Sequence, residues 1–441
     1  MTSTTAYVCV HGIGVHESGH LAAQTHDSAR RGVEAAGGTL TDLPVDAAAP
    51  AELSHRARVE LPGREPFIAE FHDGWWASGT RAPHFWAVLM WLLEVAPFAL
   101  ISGVGGWCGD RWREAGDGAR PQTVAGPLRT AGRRVGALVT SAAMLAAVPP
   151  AALVLLVLLP LAGLIPAWRR RLRPLMVEVI GDAWLYRSAA LDETVLPRLR
   201  RIVEEASARA DRVVLVGHSQ GAELSRRVAL QTTAAGCVWL GSGEHQLNTV
   251  RIVAASGWPT LLVWPAVLAW PALVHLVISR GGDVVALVVA LLYVLITASV
   301  VRWVRRRPDD VGQVPQSRIW HVKSLLDPVS WGTVFPARLE AAREQDESAS
   351  PGAGALELPV VCVRYVPKHP HRPWWAEHVT YLDRAATGAV LIEAGLPRPV
   401  PVLPPTPARV RTWVVLAAAC AGIVLLWTTA RLTAWPLLML G

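Results

Sequence analysis

The stretch "DRVVLVGHSQGAELSRRVAL" occupies residues 211–230. Its first half, "RVVLV" (212–216), is short, fully apolar and rich in β-branched residues, as a central parallel strand requires. Gly217-His218-Ser219-Gln220-Gly221 follows, and "AELSRRVALQTTAA" then continues with helical character. Upstream, "LDETVLPRLRRIVEEASARA" reads as an amphipathic helix ending near Asp211. The unit is helix, strand, sharp turn, helix. A serine between two glycines on such a turn has its hydroxyl raised at the top of the sheet. The glycines permit close strand–helix packing and a strained backbone. Ser219 is therefore the candidate nucleophile. The fold class expected from this unit is α/β, with a mostly parallel sheet and helices on both faces.

The rest of the chain is unusually apolar. It has 441 residues, is 52% hydrophobic and only 17% charged, and its mean hydropathy is +0.31. The apolar excess sits in a few long runs, which is the signature of membrane spans. The net charge of +7 is carried by arginine, with Lys323 and Lys368 as the only lysines. These basic residues cluster beside the apolar runs, which points to a membrane surface and not to nucleic acid. Twenty tryptophans fit the same reading, since indole favours the headgroup interface. The five cysteines, Cys9, Cys108, Cys237, Cys362 and Cys420, are scattered and lack CxxC spacing, which argues against a disulfide framework or a zinc site. The first residues, "MTSTTAYVCVHGIG", show neither the basic nor the long apolar region of a cleavable signal peptide.

About five spans are expected, since about 20 residues cross the hydrocarbon core. The first covers residues 85–107. The second ends at Trp168 and begins between Val135 and Ala151. The third and fourth, 259–279 and 283–304, are separated only by "RGGD", and the fifth begins near Trp413. The first four make two hairpins, so the chain returns each time to the side it left. The expected organisation is three polar segments (1–84, 169–257 and 305–411) forming one domain, interrupted by hairpins at 85–168 and 258–304 and followed by a terminal span in 412–441. The basic runs "RRRLR" (169–173), "RWVRRR" (302–307) and "ARVR" (408–411) flank spans on the polar side, which the positive-inside rule makes cytoplasmic. The loop 108–134, with six arginines against three acids, opposes that orientation. Glu94 and Arg431 lie within spans, and are read as a helix-facing carboxylate and a snorkelling cation.

A serine hydroxyl needs a base and a group to orient it. The segment 305–411 supplies both. "RIWHVKSLLDPVSW" reads as a strand ending in Asp327, and "LPVVCVRYV" (358–366) as the next strand. The loop after it holds His369, His371 and His378. Asp309, Asp310 and Asp346 compete with Asp327 but sit in polar runs without a preceding strand. His369 and His371 lie in the irregular basic stretch "HPHRP". An Asp-Pro pair is also an ordinary turn starter.

Five stretches taken in order, "VCVHGIG" (8–14), "VGHSQG" (216–221), "VWLGSG" (238–243), "LLDPVS" (325–330) and "EHVTYL" (377–382), resemble the lipase/esterase type of the α/β-hydrolase superfamily. The resemblance covers the polar segments and none of the spans. It departs from the family in two ways: the strands that usually precede the His-Gly strand are missing ahead of it, and membrane hairpins interrupt the core. It implies Ser219 as nucleophile, His378 as general base and then acid, and Asp327 as the residue holding the imidazole tautomer. The oxyanion donors would be the backbone N–H groups of Gln220 and Ile13. His11 would brace that loop. It further implies cleavage of a lipid or other hydrophobic carboxylic ester without a cofactor. An acyltransferase or thioesterase on the same fold, or an inactive membrane scaffold, are the alternatives.

Three other groups invite a role. "HGIGVHESGH" (11–20) brings His11, His16, His20 and Glu17 together, but it is not an HExxH and its glycines resist the helix that would align metal ligands, so no metal is expected. "FIAEFHDGWW" (67–76) reads as a strand paired through a Pro62-Gly63 turn with "HRARVELP", and Glu70, His72 and Asp73 read as surface and strand-end residues. Asp182 reads as a helix cap or turn.

Overall fold

The computed structural model describes residues 2–12, 17–46, 49–76, 84–93, 107, 132, 135–136, 139–140, 157–173, 191–243, 247, 318–324, 327–330, 361–366 and 378–396. The chain divides into two compact units. One comprises Met1–His84, Pro174–Leu247 and Asp310–Thr406; the other comprises Phe85–Arg173, Asn248–Asp309 and Pro407–Gly441.

The first unit is built on a sheet of eight strands: β1 (Ser3–Val10), β2 (Thr39–Leu43), β3 (Leu53–Glu60), β4 (Phe67–Asp73), β5 (Arg212–His218), β6 (Gly236–Leu240), β7 (Arg318–Lys323) and β8 (Val361–Tyr365). Their order across the sheet is β2-β3-β4-β1-β5-β6-β7-β8. From β4 to β8 every neighbouring pair is parallel, while β3 runs antiparallel to both β2 and β4. The class is α/β with a mixed sheet. Among the described residues β1 is the first strand. The flank beyond β4 is instead filled by β2 and β3, which come later in the chain than the central strand they extend. The β3–β4 hairpin forms where its turn residues place it, with Gly63 at φ 69°.

Period-two alternation sorts the core. On one face of the sheet Tyr7, Cys9, Val214, Val216, Val238, Leu240, Trp320 and Val322 pack against α1 (His20–Ala35) and a late helix, Ala385–Gly395. On the other, Ala6, Val8, Val10, Val213, Leu215, Cys237, Trp239 and Ile319 pack against two further helices, Leu196–Ser207 and Gln220–Ala229. In chain order the helices are α1, α2 (Pro166–Arg173, in the second unit), α3 (Leu196–Ser207), α4 (Gln220–Ala229) and α5 (Ala385–Gly395). Strands buried on both faces read as unbroken apolar runs, which is why "RVVLV" does not alternate. Burying one such aliphatic side chain contributes about 1.5–3 kcal/mol, so these two layers dominate the stability of the unit. Two boundaries differ from the expectation. The strand before Asp327 stops at Lys323, four residues short of it, and α4 stops at Ala229, before "QTTAA".

The helices α1 and α5 touch backbone to backbone. A Cβ on Gly388 would collide with the carbonyl oxygen of Ser28, and one on Gly32 with the carbonyl carbon of Gly388. Two side-chain bonds tie α5 to the central strand: Thr5 Oγ1 donates to the Gly395 carbonyl at 2.9 Å, and the Tyr7 hydroxyl to that of Leu391 at 3.1 Å.

In the second unit, residues 85–93 and 157–164 are helical, and a bend at Ile165 leads into α2. The two segments meet where the position of a Gly163 Cβ lies 3.3 Å from Leu89 and Trp86. Leu158, Leu161, Leu164, Ile165 and Trp168 are exposed, and Arg169, Arg170, Arg171 and Arg173 follow them directly. No helix among the described residues is long and apolar enough to cross a membrane. The expected spans at 259–279, 283–304 and from 413 lie outside the described residues, as do most of the first and the start of the second. Glu94, Asp182 and Arg431 lie outside them as well.

The Gly32–Gly388 contact yields a direct test. Gly388→Val should destabilise the first unit by about 3 kcal/mol or more, because the obstacle is backbone that cannot repack. A thermal melt of the purified protein measures it.

Candidate active site

The turn between β5 and α4 carries Ser219 at φ 57° and ψ −122°. It is the only residue other than glycine with positive φ among those described. Such a conformation costs about 1–3 kcal/mol and persists only where its surroundings over-determine it. Here they do. The Ser219 N–H donates to the Leu240 carbonyl at 2.9 Å, and its own carbonyl accepts from Ala222 N–H at 3.2 Å. Gly217 faces the backbone of Gly221 and Ala222 closely enough that a Cβ would lie 2.5 Å from both. Gly221 in turn abuts the carbonyls of Val10 and His11, and Gly12 sits against Ser219, its Cβ position 3.2 Å from Oγ. Each glycine is required by a close approach, and together they clamp the serine between β5, α4 and the end of β1.

The acid and the base come from the two strands beyond. Asp327 follows β7 and His378 follows β8. The His378 Nδ1–H donates to Asp327 Oδ2 at 3.0 Å. Asp327 is fully buried and accepts two further bonds, from the Tyr381 hydroxyl to Oδ2 at 2.8 Å and from Val329 N–H to Oδ1 at 2.9 Å. Burial alone would raise its pKa, but the His378 charge and these three donors outweigh it and hold the carboxyl below its usual range. An ionised Asp327 leaves Nδ1 protonated and turns His378 Nε2 into the acceptor. Gly241, at the end of β6 with φ 54°, makes room for this pair: a Cβ there would lie 2.9 Å from Asp327 Oδ2 and 2.5 Å from the Tyr381 ring.

The link between the nucleophile's turn and His378 runs through His218, the residue before Ser219. His218 Nε2–H donates to the His378 carbonyl at 2.7 Å, and the two rings lie 4.9 Å apart. The Ser219 hydroxyl makes no hydrogen bond to the His378 ring among the described residues. Nucleophile–base bonds are often loose without substrate and tighten in the reacting complex. Ser219 is 4% exposed and the His378 side chain 18%.

For the oxyanion position, Gln220 is the first residue of α4, and the first N–H groups of a helix have no intrahelical acceptor. Ile13 lies outside the described residues. The bracing of its loop does not. His11 is buried and stacks on Trp76 with ring centres 4.9 Å apart. The Trp76 backbone N–H donates to His11 Nε2 at 3.3 Å, which leaves the proton on Nδ1 to reach the Gly12 carbonyl at 2.9 Å. The Trp76 indole N–H donates to the His11 carbonyl at 3.0 Å.

Glu70, His72 and Asp73 are not surface residues. All three are at most 5% exposed. Glu70 and His72 lie 3.6 Å apart, and Glu70 also faces Arg56 at 3.3 Å. The imidazole of His72 beside it, with the Arg56 charge, holds the Glu70 carboxyl below its usual range against the effect of burial. Asp73 Oδ2 accepts from the Ser18 hydroxyl at 2.8 Å and from Gly19 N–H at 2.6 Å, pinning the chain as it enters α1. Reading these residues as exposed failed because both faces of β4 are covered, so its polar positions are buried along with its apolar ones.

Sequence reasoning also missed an ion-pair network on α4. Glu223 and Arg226, each 1% exposed, meet at 2.6 and 2.7 Å. Arg227 reaches Glu223 at 3.3 Å and Asp192 at 3.1 Å. The signal was present, since residues three and four apart share a helix face.

Asp309, Asp310, Asp346, His369 and His371 lie outside the described residues, as does His16. Comparison of the chain with protein-family models, with curated proteins and with solved structures finds no match.

Two outcomes follow from this geometry. Gly241→Ala should destabilise the protein by more than Gly63→Ala. Both add left-handed strain of about 1–2 kcal/mol, but only Gly241 has neighbours to collide with, while nothing lies within 4 Å of a Cβ at Gly63. Paired thermal melts check this. Asp327 has its folded pKa depressed, so the stability it contributes is present above the unfolded value of about 3.9 and is lost as pH falls through the folded value. The difference in Tm between wild type and Asp327→Asn should therefore shrink as pH is lowered from about 6 to about 3.

Proposed function

We propose that this chain is a membrane-held serine hydrolase of the α/β-hydrolase superfamily, cleaving a lipid or other hydrophobic carboxylic ester. The observation that carries the reading is a conjunction. A serine held at φ 57° follows one strand, and a carboxylate–imidazole pair at 3.0 Å follows two others. All three strands are parallel, so their carboxyl ends share one edge, where open α/β sheets bind ligands.

Each residue has a task in acyl transfer. Ser219 Oγ attacks the ester carbonyl carbon as its proton passes to His378 Nε2. Asp327 holds the imidazole in the required tautomer and stabilises the imidazolium. The Gln220 and Ile13 N–H groups receive the developing oxyanion, and loss of one such donor typically slows the reaction by about 10²–10³-fold. His378 then returns the proton to the leaving alcohol. Water, activated by the same imidazole, attacks the acyl-serine and releases the acid.

The membrane part of the proposal rests on the apolar runs and on the exposed Leu158–Trp168 surface with arginines beyond it. Spans would hold the site where hydrophobic esters are concentrated, with the catalytic unit on the cytoplasmic side.

Membranes containing the protein should label with a fluorophosphonate probe. Ser219→Ala and His378→Ala should abolish labelling, and Asp327→Asn should slow it by about 10³–10⁴-fold. Failure of folded wild-type protein to label would favour a non-catalytic scaffold. Labelling without ester hydrolysis, but with transfer to an added alcohol or thiol, would assign an acyltransferase.

A further inference from the structure

Tyr381 is wholly buried, and its hydroxyl is surrounded by named partners. Ser324 backbone N–H donates to it at 2.8 Å. Asp327 Oδ2 lies 2.8 Å away and Ser330 Oγ 3.3 Å away. The Ser330 hydroxyl has its own acceptors, the carbonyls of Ser324 at 3.3 Å and Asp327 at 3.2 Å. The Tyr381 proton therefore goes to Asp327 Oδ2. Burial and the Asp327 charge keep that phenol protonated, well above its usual pKa. The same oxygen receives the His378 Nδ1–H at 3.0 Å, while Oδ1 receives Val329 N–H.

Two donors on one carboxylate oxygen are not independent. A hydrogen bond to an ionised acceptor is short and strong because it draws on the acceptor's charge. Charge taken up by the Tyr381 hydroxyl is not available to an imidazolium at position 378. We infer that Tyr381 is a positioning residue that sets the basicity of His378 through the shared Asp327 oxygen. This inference rests on the catalytic roles proposed above for Asp327 and His378.

The charged and titratable groups around the pair are few among the described residues. The His218 ring lies 4.9 Å from that of His378, and the Arg384 guanidinium lies over the Tyr381 ring at 5.4 Å. Neither group is altered by removing the phenol oxygen. A change in the histidine's titration on Tyr381→Phe therefore reports the hydroxyl.

The rate constant for fluorophosphonate labelling, measured across pH on the full-length membrane protein, reads the base of the free enzyme. It does not depend on the fraction of protein that is folded. In Tyr381→Phe, Asp327 Oδ2 keeps more charge for the imidazolium, so the acid limb should move to higher pH by about half a unit to one unit. Uniform replacement of tyrosine by 3-fluorotyrosine strengthens the donor without changing its shape, and the limb should then move to lower pH. Of the five tyrosines, Tyr7 donates to a carbonyl of α5 and not to this carboxylate. If Tyr381→Phe does not fold, the fluorotyrosine protein decides alone. An unchanged limb with only a lower plateau rate would make Tyr381 a packing residue and overturn the inference while leaving the triad in place. Shifts of the same sign in both proteins would overturn it as well. Wild-type protein that does not label at all would overturn the triad and this inference together.

Discussion

The first unit turns on a backbone that has no room for side chains. Between the end of β1 and the start of α4, Gly12, Gly217 and Gly221 bring three segments into contact, and Ser219 takes up the strain that remains. The strand must become a helix within one residue, because α4 has to return directly over β5. A side chain at 217 would push the helix off its strand, and one at 221 would push it off β1. The placement of the serine hydroxyl is thus a packing result before it is a chemical one. The energy that holds the strained residue comes from the two apolar layers on either side of the sheet.

Three buried carboxylates lie around that point, and each is matched by donors. Asp327 has three donors, Asp73 has a hydroxyl and a backbone N–H, and Glu223 has two guanidinium groups. An unmatched ion in such surroundings costs several kcal/mol, and removing one partner is worse than replacing both. These groups act at different distances from the serine. Asp327 orients the imidazole, Asp73 pins the chain at Ser18 and Gly19 as it enters α1, and Glu223 ties the first turn of α4 to its second through Arg226 and Arg227, the latter also reaching Asp192. The site is held in place as much by these anchors as by the apolar core.

Much of this was legible in the chain. The motif around Ser219 has both the right residues and the right flanking periodicity, so strand, turn and helix could be placed together. Asp327 could be preferred to its rivals because it follows an apolar strand-like run, and His378 because His369 and His371 sit in the irregular stretch "HPHRP". The buried state of Glu70, His72 and Asp73 was not legible. Glu70 and His72 alternate with Ala69 and Phe71 as in a half-exposed strand, and Asp73 ends the strand on the other face; that both faces of β4 are covered is set by packing from elsewhere in the chain. The order of the sheet was hidden for a similar reason. Nothing local says that β2 and β3, made after β1, will lie outside β4. Local pattern fixes what an element is, whereas its neighbours are chosen by packing across the chain.

One feature of that packing bears on how the protein is made. Thr5 and Tyr7 on β1 bond to Gly395 and Leu391 on α5, across sequence separations of 390 and 384 residues. The face of the sheet that carries Tyr7, Cys9, Val214 and Val216 is roofed by α5 as well as α1. During synthesis that face is formed early and covered late. Until the ribosome has passed Gly395, an apolar strip at the centre of the molecule stands open to water, and every segment that the chain sends elsewhere in between lengthens the wait. Contacts of such long range make folding slow and leave sticky surface exposed meanwhile. The docking of α5 therefore acts as the step that commits a nascent chain to its native state, and a chain arrested before Ala385 would have that face covered by α1 alone.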